Sequence, residues 1–431
     1  MDKLLRWKSI SDDIRKPLII EGARQVGKTW LARELGKVAF KNYVEVNFED
    51  MEQMRGVFEA DFDIDRIVMN IQSLTGQKVV AGETLLFFDE IQYARRGLLS
   101  LKYFKEKAPQ YHIVAAGSLL GVIDHKDDSF PVGKVDFLEV FPLSFEEFLT
   151  ALGKEGLVDI IHSNDSVSIN ALSEQYKDLL RQYYYVGGMP EAVQTFVREA
   201  DYKAVRKVQL AILKSYEHDF SKHPPKEIAK RMSLLWNSIP SQLAKENKKF
   251  IYSAIKSGAR GRDYETAVQW LCDAGMAYKV TRVTSGELPL EGFENHDSFK
   301  LYVLDIGLHG AMAGLSAKSL VQGNAFLEQY KGALTEQYVL QELRLLDEVK
   351  VHYWTPEQGI AEVDFVIQID DAIVPIEVKA ELNLQAKSLK EFIKRYDPKT
   401  VIRTSMAPYE TGKTITNLPL YAFALLPRVV G

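Results

Sequence analysis

Eight residues, Gly22-Ala23-Arg24-Gln25-Val26-Gly27-Lys28-Thr29, constrain this chain more than any other feature. They match G-x-x-x-x-G-K-[ST] in full, follow the apolar run Pro17-Leu18-Ile19-Ile20 and precede a helical stretch that opens near Lys28. Strand, glycine-bearing loop and helix in that order build a phosphate cradle. The glycines allow backbone angles and closeness that side chains forbid, so consecutive N–H groups can surround phosphate oxygens. The helix N-terminus adds its partial positive charge. Lys28 is then expected to reach the β- and γ-phosphates of ATP, and Thr29 to hold Mg²⁺.

A second element supports the first. Leu85-Leu86-Phe87-Phe88 reads as a central buried strand, with Asp89 and Glu90 at its carboxyl end. Asp89 is expected to meet Mg²⁺ through water, and Glu90 to polarise the water that attacks the γ-phosphate. An acid at a strand end also commonly caps the next helix, and that reading of Glu90 stands beside the catalytic one. A third strand, His112 to Ala116, leads to Ser118, whose hydroxyl either senses the γ-phosphate or caps a helix. Further strands are expected at Tyr43 to Val46 and Val135 to Val140, the second after a charged loop with Asp124, Lys126, Asp127 and Asp128. Short apolar runs alternating with helical stretches over residues 1–150 indicate a parallel α/β sheet.

At 431 residues the chain exceeds one ordinary core. Its 46% hydrophobic and 26% charged residues describe a soluble globular protein, and its net charge of −5 excludes a molecule that is basic overall. The apolar runs are strand-length, so no membrane association is expected. Cys272 is the one cysteine, which excludes an intramolecular disulfide and fits a reducing compartment. The start, Met1 to Lys8, is charged and unlike a signal peptide, so the expected location is the cytoplasm.

Residues 151–222 read as a helical lid broken at Gly187-Gly188-Met189-Pro190, and Ser221 to Pro225 as a linker. Residues 223–290 read as three helices and a hairpin turning near Ser285-Gly286, the order of a winged helix. Lys222 to Arg262 holds ten Lys and Arg against Glu227 and Glu246, a local net of +8 that leaves −13 for the rest. This run is either a solvated face or a surface for DNA. Residues 291–431 return to α/β, with a helix around Leu334 to Leu345 and strands at Val349–Tyr353, Glu362–Ile369 and Ile373–Val378. A helix from about Ala386 to Tyr396 follows.

The chain resembles a bacterial and archaeal family of AAA+-type P-loop ATPases with a C-terminal restriction-endonuclease-like domain of unknown function. The resemblance rests on 22–29, Phe-Asp-Glu-Ile-Gln at 88–92 and Ala-Gly-Ser-Leu-Leu-Gly at 116–121. It continues in Pro-Leu-Ser-Phe-Glu-Glu-Phe-Leu at 142–149, Gly-Gly-Met-Pro-Glu at 187–191, Lys-Leu-Tyr-Val-Leu-Asp-Ile-Gly-Leu at 300–308 and the tail. It implies ATP binding, and ring assembly is common among AAA+ proteins. Many members of the family carry Gly-Arg where this chain has Gly133-Lys134. If that arginine is a finger, the role falls here to Lys134, Arg95 or Arg96.

In the tail, Glu336, Asp364, Glu377 and Lys379 fall in the order of a PD-(D/E)xK nuclease site. Glu377 and Lys379 lie two apart on a strand and so share a face. The three carboxylates are expected to bind Mg²⁺ or Mn²⁺, because Lys379 alone cannot balance them, and Lys379 to orient the attacking water. The alternative is a regulatory or protein-binding ATPase whose nuclease-like domain is inactive.

Overall fold

In a computed structural model, the structure describes residues 1–117, 131–222, 224–245, 248–318, 328–380 and 387–430. The chain divides into two units, Met1–Phe141 with Asp273–Gly275, and Pro142–Cys272 with Met276–Gly431. No described helix is long and apolar enough to cross a membrane.

Among the described residues the first unit is built on five strands: β1 (Leu18–Glu21), β2 (Asn42–Asn47), β3 (Thr84–Asp89), β4 (His112–Ala116) and β5 (Asp136–Glu139). Their order is β2-β3-β4-β1-β5 and every pairing is parallel. β3 and β4 are buried along their whole length, which is why they read as unbroken apolar runs rather than alternating ones. Helices cover both faces. Leu4, Trp7, Ala32 and Leu35 pack with Leu18, Ile20, Leu85 and Phe87, while Phe58, Ile67, Ile71, Leu101 and Phe104 pack with Ile19, Val44, Val46 and Phe88. The β1, β3 and β4 runs expected from sequence are the three central strands.

The second unit opens with helices Phe145–Ala151, Glu155–His162, Ser166–Ala171, Ser173–Val186, Pro190–Glu199 and Tyr202–Lys222. Ser144 and Glu147 close a reciprocal capping box at the first of these, and Pro190 stands in the first turn of the fifth. Three of the quoted sequence runs meet at one joint. Leu143 N donates to Gly188 O at 2.7 Å, and the buried Asp305 carboxylate accepts from Gly188 N at 2.6 Å and Leu308 N at 2.8 Å. Gly187 takes φ +73°, and a Cβ on Gly188 would lie 2.1 Å from Leu143 O. Glycine is required there by backbone contact.

The middle of the chain differs from the expected winged helix. Two α-helices, Lys226–Leu243 and Gly261–Asp273, flank a single 3₁₀ turn, Tyr252–Ala254, where three helices were expected. Strands β6 (Ala277–Val283) and β7 (Glu294–Val303) pair antiparallel as a wing would, but the connection runs over residues 284–293 rather than turning at Ser285-Gly286. β6 also pairs in parallel with β8 (Val351–Trp354). The hairpin is thus the edge of an eight-stranded sheet that includes β9 (Val363–Ile369), β10 (Ala372–Val378), β11 (Val401–Ser405), β12 (Glu410–Thr411) and β13 (Ile415–Pro419), in the order β12-β13-β11-β10-β9-β8-β6-β7. A division at residue 290 would fall between two bonded strands. Helices Glu328–Leu343 and Lys387–Tyr396 match the two expected in the tail.

The joint makes a direct prediction. Gly188→Ala should destabilise the full chain by about 1–3 kcal/mol or more through backbone overlap. Gly332→Ala is the control: a Cβ there meets nothing within 4 Å, so alanine's better helix propensity should leave stability unchanged or raise it by about 0.5–1 kcal/mol. Urea denaturation of the two variants beside the parent checks both.

Candidate functional site

Two charged constellations were expected from sequence, and each is described within its own unit. In the first unit the loop between β1 and the helix Lys28–Ala39 is shaped by left-handed backbone at Gly22 (φ +134°), Gln25 (φ +66°) and Gly27 (φ +99°). A Cβ on Gly22 would stand 2.3 Å from Val140 O, so the strand neighbouring β1 makes glycine obligatory there. Ala23 and Val26 are buried and anchor the loop from below.

Lys28 is only 8% exposed, and its Nζ donates to Gly22 O at 2.8 Å and Ala23 O at 2.7 Å. Burial lowers its pKa to about 8, against the pull of Glu90 and Asp89. Thr29 Oγ1 donates to Asp89 Oδ2 at 3.0 Å. Asp89 ends β3, and burial raises its pKa to about 6 although the Thr29 bond favours the anion. Because β4 lies between β1 and β3, the loop after β1 and the acids after β3 flank one crevice at the carboxyl edge of a parallel sheet, the edge where such sheets bind ligands.

Glu90 takes φ +50°, an uncommon value for a residue with a side chain. It precedes the 3₁₀ turn Ile91–Tyr93 but makes no side-chain capping bond; its carboxylate accepts instead from Gln92 Nε2. The capping alternative therefore loses its bond. Strain held at a strand end beside a phosphate loop is the kind that accompanies function. The donor set of Thr29 Oγ1 with the Asp89 carboxylate fits Mg²⁺, which takes one or two protein oxygens and fills its remaining positions from phosphate and water.

Other expected residues are placed elsewhere. Lys134 precedes β5, whose Asp136 is level with Leu18 at the amino end of β1, and it pairs with Glu106 at 2.9 Å. It stands at the sheet edge opposite the loop of its own chain. Arg96 lies 4.1 Å from the Phe62 ring and donates to Glu59 O at 2.9 Å, while Arg95 is exposed. Ser118 and the loop with Asp124 to Asp128 lie outside the described residues.

In the second unit, Glu336, Asp364, Glu377 and Lys379 do come together, joined by groups the sequence reading missed. Glu336 is buried; its Oε1 pairs with Lys248 Nζ, and its Oε2 accepts from Tyr302 OH at 3.1 Å and lies 3.8 Å from Lys300 Nζ. Lys300 is fully buried, 4.8 Å from the Tyr353 ring centroid, with its Nζ 2.7 Å from Glu362 Oε1. Asp364 Oδ2 accepts from Val378 N at 2.8 Å, and Glu377 Oε1 pairs with Lys379 Nζ at 2.6 Å.

Burial opposes the charge on Glu336, yet Lys248 and Lys300 bring its pKa down to about 2. Burial, with Glu336 and Glu377 nearby, pushes Asp364 well above the carboxylate range, and burial also raises Glu377. Glu377 Oε2 is buried without a hydrogen-bond partner. The expectation that Lys379 stands alone against three carboxylates is corrected by Lys248 and Lys300. Among the described residues no group of three or more His, Cys, Asp or Glu is disposed to hold a metal ion. The missed signal was local and weak: Lys300 and Tyr302 alternate with Phe299, Leu301 and Val303 on an otherwise apolar strand.

The basic run is also revised. Lys226, Lys230, Lys245, Lys249, Lys256, Arg260 and Arg262 are exposed, but Lys248 turns inward to Glu336 and is no part of that face.

Comparison with known proteins places a family at each segment. Residues 177–319 match a domain of unknown function (DUF8612), and residues 331–423 match another (DUF4143). No curated protein is significantly similar. Among solved structures the chain is similar to the Walker-type ATPase PABY2304 of Pyrococcus abyssi, with 14% identity and a TM-score of 0.45 over 72% of this chain and 95% of that one. It is also similar to RuvB T158V of Thermotoga maritima, with 13% identity and a TM-score of 0.30 over 64% and 87%. A third is AMPPCP-bound DnaA from Aquifex aeolicus, with 14% identity and a TM-score of 0.24 over 63% and 86%. Residues 14–149, which hold the phosphate loop, Asp89 and Glu90, match the family model described as an AAA domain.

Proposed function

We propose that this chain is a Mg²⁺-dependent ATPase that works as a switch, with its second unit acting on nucleic acid or on a regulatory partner. The bond between Thr29 Oγ1 and Asp89 Oδ2 carries this reading, because it brings a hydroxyl and a carboxylate together beside Lys28 at the mouth of the loop. The backbone N–H groups of residues 22–29 hold the phosphates, and Lys28 moves from the loop carbonyls to the β/γ oxygens. Mg²⁺ bound with the nucleotide would neutralise phosphate charge. Glu90 accepts a proton from the attacking water as the bond from the γ-phosphorus to the bridging oxygen breaks, releasing ADP and phosphate. Arg95, exposed just beyond β3, is the better candidate for a finger acting across an assembly, since Lys134 lies at the other edge.

For the second unit, seven exposed cations over 226–262 support a nucleic-acid surface. The reading in which the tail binds rather than cuts is favoured by a specific observation: a lysine pairs with one carboxylate oxygen of each of Glu336, Glu362 and Glu377.

Three outcomes follow. Glu90→Gln should retain ATP while hydrolysis falls by a factor of about 10² or more, read by phosphate release beside nucleotide binding; equal turnover in both proteins removes Glu90 from the role. Because phosphate keeps Lys28 charged while burial draws its free pKa to about 8, ATP binding should take up a proton near pH 8 and weaken as pH rises beyond it. Calorimetry in buffers of different ionisation enthalpy detects that uptake; binding with no proton taken up between pH 7 and 9 would contradict it. Replacing Lys249, Lys256, Arg260 and Arg262 with Gln should lower DNA affinity and flatten its salt dependence by about one unit of slope per lost phosphate contact. An unchanged slope makes the run a solvated face.

A further inference from the structure

We propose that Lys300, assisted by Lys248, supplies within the C-terminal constellation the positive charge that a divalent ion supplies in a nuclease-type carboxylate cluster, so that this site takes no divalent metal. The inference rests on the reading in which the tail binds rather than cuts, and it names the group responsible.

The geometry is specific. Lys300 has no exposed side-chain surface, and its ammonium lies 2.7 Å from Glu362 Oε1 and 3.8 Å from Glu336 Oε2. A hard cation would sit about 2.0–2.6 Å from those same oxygens, so ammonium and metal compete for one position. The other oxygen of Glu336 is held by Lys248, and Glu377 Oε1 by Lys379 at 2.6 Å. Asp364 has one oxygen on the backbone N–H of Val378. Lys248 reaches in from the segment after the helix Lys226–Leu243 and keeps some exposure, and Lys379 is more exposed still. Those two lysines can swing away.

Lys300 cannot. It projects from β7 across the Tyr353 ring, 4.8 Å from its centroid, and withdrawing it would take one of two lysines from the buried Glu336 and the paired lysine from Glu362. Opposite charge is thus built into the fold, where a metal-dependent cluster would leave carboxylate oxygens open toward a shared centre. Residue pattern alone could not separate the two cases, since Asp364, Glu377 and Lys379 satisfy the same spacing in both.

The test is Mn²⁺ binding by the full chain carrying Lys28→Ala and Asp89→Asn, which removes the lysine and the carboxylate of the nucleotide site, followed by the loss of the free-ion paramagnetic resonance signal. The expected result is no stoichiometric uptake without nucleotide and no nucleic-acid cleavage in Mn²⁺. Introducing Lys300→Met into that chain should create uptake, or at least make its melting temperature rise with added Mn²⁺ where the parent's does not. Should that variant fail to fold, the parent titration decides alone. One equivalent of Mn²⁺ bound by the parent and lost on Asp364→Asn overturns the inference. Such uptake without cleavage leaves the binding-only reading standing; metal-dependent cleavage lost on Asp364→Asn overturns both.

Discussion

The hydrogen bond from Thr29 to Asp89 ties together residues sixty positions apart, and the first unit is arranged so that it can form. β3 delivers Asp89 from the centre of the sheet, fully buried and fixed between β2 and β4. β1 delivers the loop from the other side of β4, and Val140 O leaves no room for a side chain on Gly22. The sheet edge thus sets the spacing of cradle and carboxylate before any nucleotide arrives, which is the preorganisation that charge stabilisation in phosphoryl transfer requires. The desolvation that lowers Lys28 and raises Asp89 is the cost of that arrangement.

In the second unit the same physics gives a different result. Burial of Glu336 is balanced within the protein by Lys248 and Lys300, and burial of Asp305 by the backbone N–H groups of Gly188 and Leu308. A buried carboxylate needs such partners, and removing one is far more costly than never having had the pair. Both groups link distant parts of the chain. The Asp305 joint explains why the runs 142–149, 187–191 and 300–308 stand out in the sequence: they are three sides of one contact, with Leu143, Gly188 and Asp305 at its centre.

Much of this was legible in the sequence. Leu85 to Phe88 and His112 to Ala116 are unbroken apolar runs because both faces of a central parallel strand are covered, and the octet 22–29 dictates its own backbone. In the tail, the strands expected at Glu362–Ile369 and Ile373–Val378 are found as β9 and β10. What sequence could not supply was pairing at a distance. Lys248 belongs by position to a basic run and by geometry to a carboxylate, and no local pattern distinguishes those fates. The wing-like hairpin β6–β7 has the same local signature whether it ends a small domain or edges a larger sheet; only its parallel pairing with β8 decides. Lys134 was placed by likeness of sequence, and strand register sends it to the far edge.

The central claim is that the crevice at the carboxyl edge of β1 and β3 turns over ATP with a divalent ion seated by Thr29 and Asp89. Phosphate release by the purified full chain from ATP, in Mg²⁺ and then with the ion chelated by EDTA, tests it most directly. The account predicts turnover in Mg²⁺ that stops on chelation and returns when the ion is restored. Equal rates in both conditions, or failure to bind ATP in either, would contradict it.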